Sequence, residues 1–264
     1  MKKLLLSGIT AVALMAAGTA QAGVGLDLYG GTGVARTPLA MSNAPMEFAI
    51  AAEYVASDDL FIPVRAAIGL PFGIEVGGAY WFTDPKLGDV DVNIPMYDVT
   101  AKWVLPKFVA NLGLAVGGHY YGREVEVKAA DIKFNDNGYD VNAVATYIIP
   151  MGPVALIPSV GAIYEARTGD NDNTAVKFFG SLLLKGANWA VGGEYMSMDE
   201  DVDQIFANDD GKVDGSYWVG GRFFVNPMIT LQAGYINNAN ILDDSDISKG
   251  VFHAGVQFAF GGGK

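Results

Sequence analysis

Met46-Glu47-Phe48-Ala49-Ile50-Ala51-Ala52-Glu53-Tyr54 alternates at every position. Met46, Phe48, Ile50, Ala52 and Tyr54 fall on one side, and Glu47, Ala49, Ala51 and Glu53 on the other. A period of two belongs to a strand, whose successive side chains leave opposite faces. Ile74–Phe82 repeats the arrangement, with Glu75, Gly77, Ala79 and Trp81 on its mixed face. Tyr97–Leu105 does so again, setting Asp98, Thr100, Lys102 and Val104 against Tyr97, Val99, Ala101, Trp103 and Leu105.

Twelve such segments are expected, near 46–55, 61–70, 74–83, 96–105, 109–122, 139–149, 154–165, 175–185, 189–198, 216–225, 228–236 and 251–260. Their connections alternate in kind. Pro71–Gly73, Pro106–Phe108, Pro150–Pro153, Gly186–Asn188 and Asn226–Pro227 are bend-forming turns. Longer polar stretches are expected as loops at 84–95, 123–138, 166–174, 199–215 and 237–250. Short turns at one end and long loops at the other describe an up-and-down meander with an even strand number.

Composition narrows what such a meander can be. The chain of 264 residues is 51% hydrophobic and 17% charged, with 34 Gly, 11 Pro and no Cys. Its mean hydropathy is +0.25. Lys plus Arg number 17 against 29 Asp plus Glu, a formal charge of −12. That balance disfavours nucleic acid, which needs a cationic face. Without Cys there is no disulfide framework, thiolate nucleophile or zinc-thiolate site. A helical membrane protein would need several apolar runs of about 18 residues or more, and one run alone approaches that length.

That run reads as an export signal. Lys2 and Lys3 precede an apolar stretch from Leu4 to Ala17, and Ala20-Gln21-Ala22 has the form of a cleavage site. Residues 1–22 are therefore expected to be a signal peptide, leaving 15 bases against 29 acids and a charge of −14. In an exported protein the meander points to an all-β fold, a transmembrane antiparallel up-and-down β-barrel of about twelve strands over 46–260. A soluble sandwich or lipocalin-like barrel would turn its apolar face inward. Here the apolar face is nearly free of charge and ends in aromatics such as Tyr54, Tyr80, Phe82, Trp103, Tyr147, Tyr195 and Tyr235, as interfacial girdles require.

His253-Ala254-Gly255-Val256-Gln257-Phe258-Ala259-Phe260 has the order polar, x, Gly, x, x, aromatic, x, aromatic. It resembles the C-terminal insertion signal of Gram-negative outer-membrane β-barrel proteins, with His253, Gly255, Phe258 and Phe260 at the motif positions. The chain departs from that pattern in its tail, Gly261–Lys264. With the signal peptide and the meander, the resemblance covers 46–260. It implies an outer-membrane, porin-like barrel without a cofactor, inserted by the barrel-assembly machinery among lipid and lipopolysaccharide.

Residues 23–45 stand outside the meander. Gly33-Val34-Ala35-Arg36-Thr37-Pro38-Leu39-Ala40 shares G-x-x-x-x-P-x-A with the entry segment of exopolysaccharide-associated outer-membrane barrels, which it resembles over this short stretch. The segment is expected at the periplasmic mouth or as a partial plug, with Arg36 facing lumen acids.

Parity assigns the charges. Glu47, Glu53, Glu75, Asp98, Asp140, Glu165 and Glu194 share the lumen face with Arg65, Lys102, Lys177, Lys185 and Arg222, and so do His119 and His253. Mixed signs in a confined interior suit an ion-pair lattice or a polar pathway for small solutes and ions. Equally, lipid excludes them, at about 2–4 kcal/mol for a midplane Lys or Arg. No Gly-x-Ser-x-Gly elbow or His-Glu-x-x-His motif occurs, so an enzyme is not expected. Asp170, Asp172, Asp199, Asp201 and Asp203 offer carboxylates at alternate loop positions, a weak pattern for divalent cations and equally a solvated acidic loop. The expected function is porin-like passive diffusion of small polar solutes with a cation bias. The alternative is a non-conducting structural or adhesive barrel, or a polysaccharide-export accessory.

Overall fold

The computed structural model describes residues 26–27, 33–34, 36–56, 60–84, 86–87, 90–93, 96–106, 109–127, 132–169, 173–197, 215–237 and 250–261. Residues 1–22 and 262–264 lie outside them, as do Asp170, Asp172, Asp199, Asp201 and Asp203.

Among the described residues, twelve long strands form one antiparallel sheet closed on itself. They are β1 (Glu47–Ala56), β2 (Leu60–Gly69), β3 (Ile74–Asp84), β4 (Met96–Val104), β5 (Leu112–Val127) and β6 (Ile132–Tyr147), followed by β7 (Val154–Gly169), β8 (Thr174–Lys185), β9 (Trp189–Ser197), β10 (Gly215–Asn226), β11 (Ile229–Asn237) and β12 (Val251–Gly261). Each pairs with its sequence neighbours. The ring closes where β12 meets β1, in an unbroken register from Glu47 opposite Gly261 to Ala56 opposite Phe252. Closure leaves no free sheet edge, which a spanning sheet requires.

The turns obey local chemistry. Pro71 opens a 3-10 turn that ends on Gly73 at φ 77. Between β6 and β7, Gly152 takes φ 67, a left-handed conformation that glycine adopts without cost. Before β11, the Asn226 side chain accepts the Met228 and Ile229 amides at 2.8 and 2.9 Å.

Among the described residues, three expected loops are mostly strand. β5 and β6 stay paired out to Val127 opposite Ile132, so the polar stretch 123–138 is a hairpin extension. β7 likewise runs to Gly169. The charged residues there mask the alternation of Val125, Val127, Ile132 and Phe134. A short pair, Lys86–Leu87 with Val90–Asn93, joins β5 beyond the β4 pairing.

The two faces live in opposite solvents. Outward side chains are apolar, with Val160 and Phe178 each 64% exposed. Inward charges are covered, with Arg65 and Glu75 at 1%. Charged residues are buried this far only when paired, and a continuous apolar exterior of this size needs an apolar environment. Outward aromatics gather at the strand ends: Tyr97 with Tyr120 (6.2 Å between ring centroids), Tyr217 with Tyr235 (6.3 Å) and Tyr235 with Phe252 (5.0 Å) at the loop end, and Phe258 with Phe260 (6.4 Å) at the turn end. Valine and leucine occupy the outward positions between them, among them Val141, Val191, Val219 and Leu231.

Leu182 stands outward in the middle of β8. Leu182→Arg is expected to destabilise the folded barrel in lipid vesicles by about 2–4 kcal/mol. Denaturant titration in vesicles reads the change, and an unchanged midpoint would place this face out of contact with lipid.

Candidate functional site

The fourteen lumen positions read from parity all lie on the inward side of the wall. Glu47 and Glu53 project from β1, Arg65 from β2, Glu75 from β3, Asp98 and Lys102 from β4, and His119 from β5; Asp140 projects from β6, Glu165 from β7, Lys177 and Lys185 from β8, Glu194 from β9, Arg222 from β10 and His253 from β12. Parity assigns faces but not partners, and the structure sorts most of them into local clusters.

At the β12–β1–β2 seam, Glu53 lies 2.7 Å from Arg65 and accepts from His253, whose Nε2 takes the indole N–H of Trp218 at 2.6 Å. Near the turn end, Lys102 meets Glu75 at 3.0 Å. Toward the loop end, His119 is held between Asp98 and Asp140, each at 2.8 Å. Asp98 also accepts from Trp81 Nε1 at 2.7 Å. Beside this cluster, Glu165 accepts from Tyr121 at 2.8 Å and Lys177 at 2.6 Å. The Lys185 ammonium lies 5.1 Å over the Phe224 ring.

Leu26, Asp27, Gly33, Val34 and residues 36–45 lie inside this ring of side chains. Leu26, Val34, Thr37, Leu39 and Met41 are almost fully covered. The segment follows the wall as it goes. Leu26 N donates to Gln257 of β12 at 3.0 Å, while Arg65 donates to the Leu26 and Asp27 carbonyls at 3.3 and 2.9 Å. Arg222 donates to the carbonyls of Leu26, Gly33 and Val34. On β9, the strand next to that of Arg222, Glu194 accepts the amides of Arg36 and Thr37 at 2.7 and 3.2 Å. Ala40 N then donates to Thr146 at 3.0 Å, and Asn43 N to Glu75 at 2.8 Å, before the chain enters β1.

The segment is bent by the Gly33–Pro38 pairing, closed by Val34 N donating to the Thr37 carbonyl at 3.0 Å. Two inward glycines let its backbone touch the wall. A Cβ on Gly69 would fall 2.2 Å from the Ala44 carbonyl oxygen, and one on Gly113 2.5 Å from that of Ala40. The apolar side chains Val34, Leu39 and Met41 join Val55, Trp81, Ile157, Trp218 and Ile236 in a cluster within the bore.

Sequence reading named charges and passed over neutral partners: Thr146, Ser159, Ser181, Ser216, Gln232 and Gln257 face inward, as do Trp81, Tyr121, Trp218 and Arg167. Period two places most of them on the same face as the charges, so polar residues at inward parity were the available signal. Within the terminal motif, His253 and Gly255 face inward while Phe258 and Phe260 face out. Among the described residues, no cluster of His, Asp and Glu is arranged to hold a metal ion.

No protein-family model matches the chain, and no match emerges among curated protein sequences. Solved structures do match. The KdgM porin superposes with a TM-score of 0.54 at 10% identity, over 81% of this chain and 99% of its own; it has also been solved in complex with disordered oligogalacturonate. The chain has the fold of an outer-membrane porin. A second porin, NanC, gives a TM-score of 0.51 at 10% identity, over 80% of this chain and 98% of its own. At these identities the likeness speaks for the porin fold alone.

Proposed function

We propose that this protein is exported to the outer membrane and passes small polar solutes by passive diffusion, with residues 36–45 as a movable restriction. One observation supports this most. Among the described residues, 26–44 contribute no strand to the barrel sheet and are fastened to the wall by side-chain bonds. Such hydrogen bonds contribute about 0.5–1.5 kcal/mol net between neutral groups and about 1.5–3 kcal/mol to charged ones, and none belongs to the barrel ladder, so the segment can leave the lumen while the ladder stays intact. The apolar girdled exterior fits a bilayer with lipopolysaccharide outside, and β12, with Phe258 and Phe260 outward, fits a last strand delivered by the barrel-assembly machinery.

Cation preference follows from the turn-end mouth. Glu47 and Glu75 both face inward there, Lys102 is paired to Glu75, and the Lys185 ammonium is turned onto the Phe224 ring. Planar-bilayer recording of the refolded chain is expected to show unitary steps. Glu47→Gln with Glu75→Gln should move the reversal potential toward anions. Silence at every salt concentration favours the non-conducting structural or adhesive barrel, a reading the occupied bore also supports.

A further inference from the structure

The bonds that hold the internal segment are directed mostly at its main chain. Glu194, Thr146, Glu75 and Gln257 accept backbone amides, whereas Arg65 and Arg222 donate to backbone carbonyls. Side chains of the segment also reach the wall, as from Arg36 to Ser216 and from Thr37 Oγ1 to Glu194. Main-chain groups are the same in every peptide, so a wall that reads them does not read sequence. Between the polar contacts, the apolar cluster receives Val34, Leu39 and Met41.

The wall also has unused capacity at this level. Thr146, Ser159, Ser181 and Glu194 stand at paired positions on β6, β7, β8 and β9, forming one inward row. Thr146 is 2.8 Å from Ser159. Ser181 is 8% exposed, faces the bore, and its hydroxyl has no partner among the described residues. Buried hydroxyls are nearly always bonded. A chain lying along this row in another register would use it.

We propose that the lumen is a binding site for extended oligopeptides with apolar side chains, and that residues 36–45, with Leu26, Gly33 and Val34, are its built-in occupant. The proposal rests on the lumen being open to solutes, and it names their class. When the segment withdraws, the carboxylate and hydroxyl row takes amide N–H groups. Arg65 and Arg222 take carbonyls, and the Trp81–Ile157–Trp218 cluster takes apolar side chains.

The test uses the full chain in detergent and a fluorescent peptide copying residues 36–45. Thr37→Pro with Ala40→Pro removes two of the occupant's wall-bound amides and leaves the wall intact. This variant is expected to bind the peptide by fluorescence anisotropy, at least about tenfold more tightly than the parent chain, a gain of about 1.4 kcal/mol. A peptide N-methylated at the positions of Thr37 and Ala40 should bind at least about tenfold more weakly. Should the variant not fold, hydrogen exchange in the unsubstituted chain reads the same event. Peptide at millimolar concentration should then speed exchange of the Arg36–Asn43 amides, and the N-methylated form should not. Absence of binding together with unchanged exchange would overturn the proposal, as would equal action of the two peptides. Anisotropy is independent of current: a chain that conducts without binding sinks the peptide site alone, and one that binds without conducting sinks the diffusion pathway alone.

Discussion

Replacing Gly69 and Gly113 with valine is expected to expel the internal segment and raise conductance severalfold. Both glycines are inward wall positions on which the segment's backbone rests, with carbonyl oxygens 2.2 and 2.5 Å from where a Cβ would be. Contacts that short with main-chain atoms cannot be relieved by a side-chain rotation, so either the segment or the wall must move. The energetics favour moving the segment. Neither glycine has positive φ, so valine fits the backbone conformation of both strands and is a better strand former than glycine. The wall is tied by strand pairing at both positions, Gly113 opposite Thr146 and Gly69 opposite Glu75. The segment near these residues is held by separate bonds outside any ladder, from Ala40 N to Thr146, from Asn43 N to Glu75, from Ala44 N to the Glu47 carboxylate and from Glu47 N to the Ala44 carbonyl. Single-channel current and limited proteolysis of residues 26–45 check the outcome together. A protected segment with unchanged current would mean that the wall yields instead. Exposure of the segment without any rise in current would mean that it is not the restriction.

How far such an arrangement is legible in sequence depends on who solvates whom. The barrel is readable because lipid and lumen impose different solvents on successive residues, as in Glu47 to Tyr54, so every membrane-depth strand carries a period of two. Beyond the membrane that contrast fades, and the pairing of Val127 with Ile132 continues a hairpin through residues whose charges suggest a loop. The internal segment alternates only briefly, Val24, Leu26 and Leu28 against Gly25, Asp27 and Tyr29, before a glycine-rich stretch, so no period fixed its place. Its partners lie far away in sequence, Leu26 with Gln257 and Thr37 with Glu194, and they engage main-chain atoms that leave no trace in residue identity. The charge clusters were half-legible for a related reason. Parity places Asp98, His119 and Asp140 on one face, but three strands had to pair in register before the imidazole stood between two carboxylates.

Glu53→Ala is expected to be among the most destabilising single substitutions in the wall, at about 3–5 kcal/mol in vesicle unfolding titrations. Glu53 is 2% exposed, lies 2.7 Å from Arg65 and bonds to His253. Removing it leaves a buried guanidinium without its counter-charge, which costs more than the pair itself contributes. Location adds to the effect. His253, Glu53 and Arg65 sit on β12, β1 and β2, so their cluster spans the seam where the last strand meets the first. A companion variant separates the cost of the orphaned charge from the worth of the pair. Glu53→Ala with Arg65→Met removes both ions and should recover most of the loss, because an apolar side chain of similar length suits a buried site. If the double variant is as unstable as the single, the seam depends on the ion pair itself. Arg65 has a second role that the double variant does not restore, since its guanidinium also holds the Leu26 and Asp27 carbonyls. The double variant should therefore be stable yet more open to proteolysis near residue 26, whereas Glu53→Ala alone keeps that anchor. Wall stability and occupancy of the bore are then set by different bonds of one side chain.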